Sequence, residues 1–124
     1  MLSDIQCGNN FVMVLTKDGK VYEWVNANRP KQHKDFGESG KIIQMAAGTG
    51  HSAAVTSIGE VFCWGTSHVG QVGNNSFEMQ REPVKVFPVA GMTDDTKIVA
   101  VACGMSSTFA VAEGGNVRIS VSFQ

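Results

Sequence analysis

Prolines are scarce, three in 124 residues, and the three cysteines are odd in number and widely spaced. Such a set excludes a disulfide framework and a Cys-x-x-Cys metal site, and it points to a reducing compartment. An excess of charge of either sign is also missing, since ten Lys and Arg against eleven Asp and Glu leave a formal net charge of −1. No global field attracts nucleic acid or an anionic membrane, so neither is an expected partner. No apolar run approaches the length of a membrane span. Met1-Leu2-Ser3-Asp4 lacks the charged and apolar regions of a signal peptide, so the sequon Asn74-Asn75-Ser76 is read as unused. The expected location is intracellular, in the cytoplasm or nucleus. No catalytic constellation stands out, and His33 and His68 fall in loops without ligand spacing, so neither a metal nor a cofactor is expected.

What the chain does hold is glycine, 14 residues of it, arranged with a period. Gly8 and Gly19 are 11 apart, as are Gly48 and Gly59, and again Gly104 and Gly115. A valine follows each second glycine by two places, at Val21, Val61 and Val117. Self-similarity at a fixed offset is the signature of a repeat architecture, in which each unit buries its apolar face only against its neighbours. The repeats run from about 4 to 40, from 41 to 96, and, incompletely, from 97 to 124.

Each copy reads as short strands separated by glycine turns. In the first, Phe11-Val12-Met13-Val14-Leu15 has no polar face, which suits a strand covered on both sides. Lys17-Asp18-Gly19-Lys20 is a hairpin signal, because Asp and Gly tolerate the left-handed backbone of tight turns. The first copy yields three strands, and Val25 to Gly40 reads as an exposed connection carrying Arg29, Lys31, His33 and Lys34. That basic cluster is the candidate loop for a phosphate or acidic partner. The second copy gives strands at Ile42 to Ala47, Ser52 to Thr56 and Glu60 to Trp64, a loop through Thr66 to Glu82, and a fourth strand at Val84 to Phe87 with Pro83 at its edge. Four short strands per repeat make a propeller blade. The third copy opens at Lys97 and ends on Val117 to Gln124, whose strict alternation reads as a strand with one face in solvent.

The pattern Ala47-Gly48-x-x-His51-Ser52-x-Ala54-Val55-Thr56-x-x-Gly59-x-Val61-x-x-Trp64-Gly65, followed by Gly70-Gln71-Val72-Gly73 and Arg81-Glu82-Pro83-Val84-Lys85-Val86, resembles the regulator-of-chromosome-condensation repeat. The flanking copies match less fully, with Phe11-Val12 and Ser107-Thr108 replacing His51-Ser52. The resemblance implies an all-β fold, a partial β-propeller of four-stranded antiparallel blades forming an incomplete ring. Members of the family serve as guanine-nucleotide exchange factors for small GTPases, as chromatin-docking modules and as interaction platforms. On this basis the chain is expected to be a non-catalytic interaction module or scaffold, belonging to a larger protein or associating with itself, with a protein partner; a small GTPase is the alternative partner.

The repeat positions themselves carry structural expectations. Gly8, Gly19, Gly48, Gly59, Gly65, Gly104 and Gly115 are placed where φ is positive or backbone approaches closely. Trp24 and Trp64 are placed between blades. His51 beside Ser52 invites a base-and-nucleophile reading, but adjacent strand residues point to opposite faces and no carboxylate orients the ring, so a hydrogen bond to a neighbouring turn is expected instead. Cys7 and Cys103 share a position with Ala47, which reads as a small buried slot.

Overall fold

A computed structural model of the chain describes residues 2–9, 11–25, 29–33, 41–65, 80–87, 97–104, 108–113 and 117–120. All the regular structure among them is β-strand, in three antiparallel sheets that follow one another along the chain. The first blade is β1 (Leu2–Cys7), β2 (Phe11–Thr16), β3 (Val21–Val25) and β4 (Lys31–His33); the second is β5 (Ile42–Ala47), β6 (His51–Thr56), β7 (Val61–Gly65) and β8 (Gln80–Phe87). The third is β9 (Ile98–Cys103), β10 (Thr108–Ala112) and β11 (Val117–Ser120), with strands meandering in sequence order in every blade. The tail expected to continue that last strand as far as Gln124 lies, from residue 121 on, outside the described residues.

The repeat is reproduced down to its irregularities. Each innermost strand carries the same register shift, between Leu2 and Asp4, between Ile42 and Gln44, and between Ile98 and the Ala100 region opposite Val111 and Ala112. The residues in the extra position, Ser3, Ile43 and Val99, are all exposed. A bulge of this kind strengthens local twist and re-aims the following side chains. The β2–β3 and β6–β7 turns are likewise the same. Gly19 donates to Thr16 O at 3.0 Å and Gly59 to Thr56 O at 3.0 Å, and the threonine hydroxyls accept from the N–H groups of Lys20 and Glu60 at 3.0 and 3.1 Å. Both glycines have positive φ, 85° and 90°. Each turn also leans on the entrance to the next blade, so that a Cβ on Gly19 would meet Lys41 and one on Gly59 would meet Lys97.

Two apolar layers hold the blades together. Met13, Leu15 and Val21 of the first blade pack with Ile42, Met45, Phe62 and Trp64 of the second. Ala53, Val55, Val61 and Cys63 of the second pack with Ile98, Val101 and Ala112 of the third. The central strand β6 is buried along its whole length because both its faces are covered in this way. Between the two inner strands β5 and β9 the joint is also polar. Gln44 Nε2 donates to Val101 O at 2.9 Å, and Val101 N–H donates back to Gln44 Oε1 at 2.6 Å. A side-chain amide thus takes the place of a neighbouring strand along the inner edge of the third sheet.

Two strand readings need correction. The stretch assigned as an exposed connection contains β4, a fourth strand that pairs Val21 with His33 and Glu23 with Lys31. Three residues flanked by Asn, Pro and basic side chains present no alternation to detect, and it is the pairing with β3 that makes them a strand. The strand expected from Val84 begins earlier, at Gln80. Pro83, which is buried, falls in the segment where the register slips between Val84 and Gln80, so its missing N–H interrupts no regular ladder.

Candidate functional site

The three inner strands run side by side, β1 against β5 and β5 against β9, and end at the same repeat position. Their ends, Cys7-Gly8, Ala47-Gly48 and Cys103-Gly104, come together with Asn9 and Thr49 around an open hollow of about 400 Å3. The loops that form it are joined across blades: Asn9 N–H donates to Thr49 O at 2.9 Å, and the Gly104 carbonyl lies so close to Gly48 that a Cβ there would stand 2.4 Å from it. Inside the first two blades the same glycines make room for a ring, Phe11 over Gly8 and His51 against Gly48. The absent side chain, rather than an unusual φ, is what these positions require.

Among the described residues, no carboxylate, ammonium or guanidinium lines the hollow. Its polar groups are the exposed side chains of Asn9 and Thr49, the glycine backbone and the Cys7 and Cys103 thiols. Burial pushes the Cys103 thiol up to about 12, with a hydrogen bond to Thr108 pulling the other way, so at neutral pH it is a thiol and a poor nucleophile. Burial likewise raises Cys63 behind it. His51 is fully buried and Ser52 is 1% exposed, and neither lines the hollow. The described lining offers shape and neutral hydrogen-bonding groups.

The sequence-predicted residues are distributed as follows. Gly8, Gly48 and Gly104 meet at the hollow; Gly19 and Gly59 lie at the far ends of the blades; Gly65, φ 104°, sits opposite His51, where a Cβ would meet the Gly50 carbonyl. Trp64 is 2% exposed between the first two blades, and Trp24 is half-buried on β3. Gly115 and Lys34 fall outside the described residues. The rest of the basic cluster divides: Arg29 and Lys31 are exposed, whereas His33 is 2% exposed. Its Nε2 stands 2.8 Å from Glu23 Oε1 and its ring 5.0 Å from that of Trp64, so it is an inter-blade residue. Cys7, expected in a buried slot, is exposed because its position opens onto the hollow. Gln44 and the pairing of Asn9 with Thr49 were not anticipated. The signal for Gln44 was a lone amide inside the apolar run from Ile42 to Ala47, where the other copies have Asp4 and Ala100.

Two family models of the Regulator of chromosome condensation (RCC1) repeat match the chain, one over residues 59–111 and the other over residues 42–71, together more than half of it. Three stacked antiparallel blades and these matches define a propeller-repeat protein, and the chain belongs to the RCC1 repeat family. It is 34% identical over 128 residues to the mitochondrial RCC1 domain-containing protein RUG3 of Arabidopsis thaliana, covering 94% of this chain and 28% of that protein. The fold is similar to that of human WBSCR16, with a TM-score of 0.73 at 21% identity over 95% of this chain and 33% of the other. It is similar also to Prp20p of Saccharomyces cerevisiae, whose structure was described with its binding to Gsp1p and histones; here the TM-score is 0.68 at 22% identity, over 84% of this chain and 29% of that one. The chain therefore spans about a third or less of each of these relatives.

Proposed function

We propose that this chain is a non-catalytic protein-interaction module, its three repeats at about 4–40, 41–96 and 97–124 forming part of a propeller completed by further blades or by self-association. A protein partner engages the hollow at the inner ends of the blades. The observation that carries this reading is the hollow's construction: one repeat position from three successive blades, without charge among the described residues, and with the His51–Ser52 pair buried outside it. A photo-crosslinker attached to Cys7 should capture a protein partner, and Thr49→Trp, which fills the hollow, should abolish capture. The same reagent on a Cys7→Ser, Lys17→Cys chain, at the opposite end of β2, should capture none. Equal capture from both ends would refute the placement, and a hydrolase activity lost in His51→Ala would refute the class.

The second reading, guanine-nucleotide exchange on a small GTPase, draws support from the family and from the description of Prp20p with Gsp1p. Nucleotide release from a small GTPase that the purified chain leaves unchanged would remove it. We place the module inside the cell, in cytoplasm or nucleus. Among the described residues no helix is long and apolar enough to cross a membrane. A fluorescent fusion localising to mitochondria, as the name of RUG3 suggests for that relative, would be the contrary result.

A further inference from the structure

Each inner strand carries two apolar residues that face the preceding blade, six and three places before its terminal glycine: Leu2 and Ile5, Ile42 and Met45, Ile98 and Val101. The shared bulge keeps their register the same in all three blades. Ile42 and Met45 are 4% and 0% exposed, packed with Met13, Leu15 and Val21. Ile98 and Val101 are 0% and 4% exposed, packed with Ala53, Val55 and Val61. Leu2 and Ile5 are each 59% exposed, and no sheet among the described residues covers them.

The complementary half of the same joint is open at the other end. By register Phe109, opposite Ala102, is the counterpart of Met13, opposite Gln6, and of Ala53, opposite Ala46. Met13 and Ala53 are fully buried, whereas Phe109 is 37% exposed, and Val111, the counterpart of Leu15 and Val55, is only half-buried. The chain thus owns both halves of an interface that it already forms twice internally, and no sheet among the described residues covers either outer half.

We infer that a second copy of this chain docks head to tail, its Phe109–Val111 face covering Leu2 and Ile5 as the first blade covers Ile42 and Met45. The inference rests on the self-association half of the proposed function and is independent of what binds the hollow. Asp4, beside Ile5 on the same strand, occupies the position of Gln44, which reaches forward to the next blade, and its carboxylate accepts from Ile5 N–H at 2.8 Å and Gln6 Nε2 at 3.1 Å. It therefore presents no obstacle to an apolar partner. Position 100, where Gln44 would recur, is Ala100, so the joint between copies lacks the amide clamp that ties the second blade to the third.

Because the two halves differ, the contact is heterologous, and association either closes into a ring or continues as an open chain. Sedimentation velocity of the 124-residue chain through the micromolar range should show oligomers whose share rises with concentration. Ile5→Glu and Phe109→Glu should each be monomeric with an unchanged strand circular dichroism spectrum, since both side chains are exposed. Mixed in equal amounts, each supplies the face the other lacks, and the mixture should form a one-to-one dimer and nothing larger. A wild-type chain that stays monomeric would overturn the inference and leave the face to a blade of a longer polypeptide. Association that survives either substitution, or a mixture that stays monomeric, would overturn it as well. Crosslinking at Cys7 reads the hollow separately, so the two proposals fail independently.

Discussion

Gln44→Ala removes the one polar clamp described between the inner strands of the second and third blades. In the native chain the amide accepts from Val101 N–H and donates to Val101 O, at 2.6 and 2.9 Å. Val101 is 4% exposed, so truncation leaves two backbone groups on the inner edge of β9 without a protein partner. An orphaned buried polar group costs ~1–3 kcal/mol, while release of the long Gln side chain returns up to ~2 kcal/mol of rotamer entropy. Two groups at that cost, less the returned entropy and partial hydration at a sheet edge, give a net loss of about 2 kcal/mol. For a chain of this size that is a fall in melting temperature of roughly 6–12 °C. Urea denaturation should show a lower midpoint at unchanged slope, and hydrogen exchange should show Val101 N–H losing protection while amides inside the second sheet keep theirs. Gln44→Glu keeps an acceptor for Val101 N–H but opposes a carboxylate to the Val101 carbonyl, and should be no more stable than Gln44→Ala at neutral pH. A loss below ~0.5 kcal/mol with unaltered exchange at Val101 would refute the clamp, because changes of that size are ordinary for surface substitutions.

Gly48→Ala should cost at least ~1–3 kcal/mol by overpacking, since the new methyl would stand 2.3 Å from His51 Cε1 and 2.4 Å from the Gly104 carbonyl; thermal unfolding measures it. Under native conditions iodoacetamide should label Cys7, which is exposed, well before Cys103 and Cys63, whose thiols burial raises; peptide mass spectrometry that found Cys63 labelled first would contradict the packing of the second and third blades. The Thr16 hydroxyl, aided by Lys20, holds Asp18 below the ordinary aspartate value of 3.8. A depressed pKa stabilises the fold at pH above the unfolded value and loses that contribution as pH falls through the folded one. Asp18→Asn should therefore be less stable than wild type near neutrality, with the difference closing below about pH 4 in paired urea titrations.

The periodic glycines made the blades legible because their causes are local: a positive φ at Gly19 and Gly59, and a ring that needs space at Gly8 and Gly48. β2 was legible because Phe11 to Leu15 is apolar throughout, although among the described residues a second sheet covers only one of its faces and the expected cover on both sides is not seen. What escaped depends on partners distant in sequence. β4 exists through its pairing with β3, and the burial of His33 depends on Trp64, 31 residues on. The hollow exists only when three blades stand together, so no single copy reveals that Cys7 opens onto it. The basic cluster was read as one surface because composition carries no depth; pairing put His33 inside and left Arg29 and Lys31 outside.

The stacking of the three repeats as successive blades is tested most directly by methyl nuclear Overhauser contacts in solution. The fold predicts contacts from Ile42 to Leu15 and Val21, and from Ile98 to Val55 and Val61, each crossing from one sheet to the next. Ile42 and Ile98 methyls that show contacts only within their own sheets would contradict it.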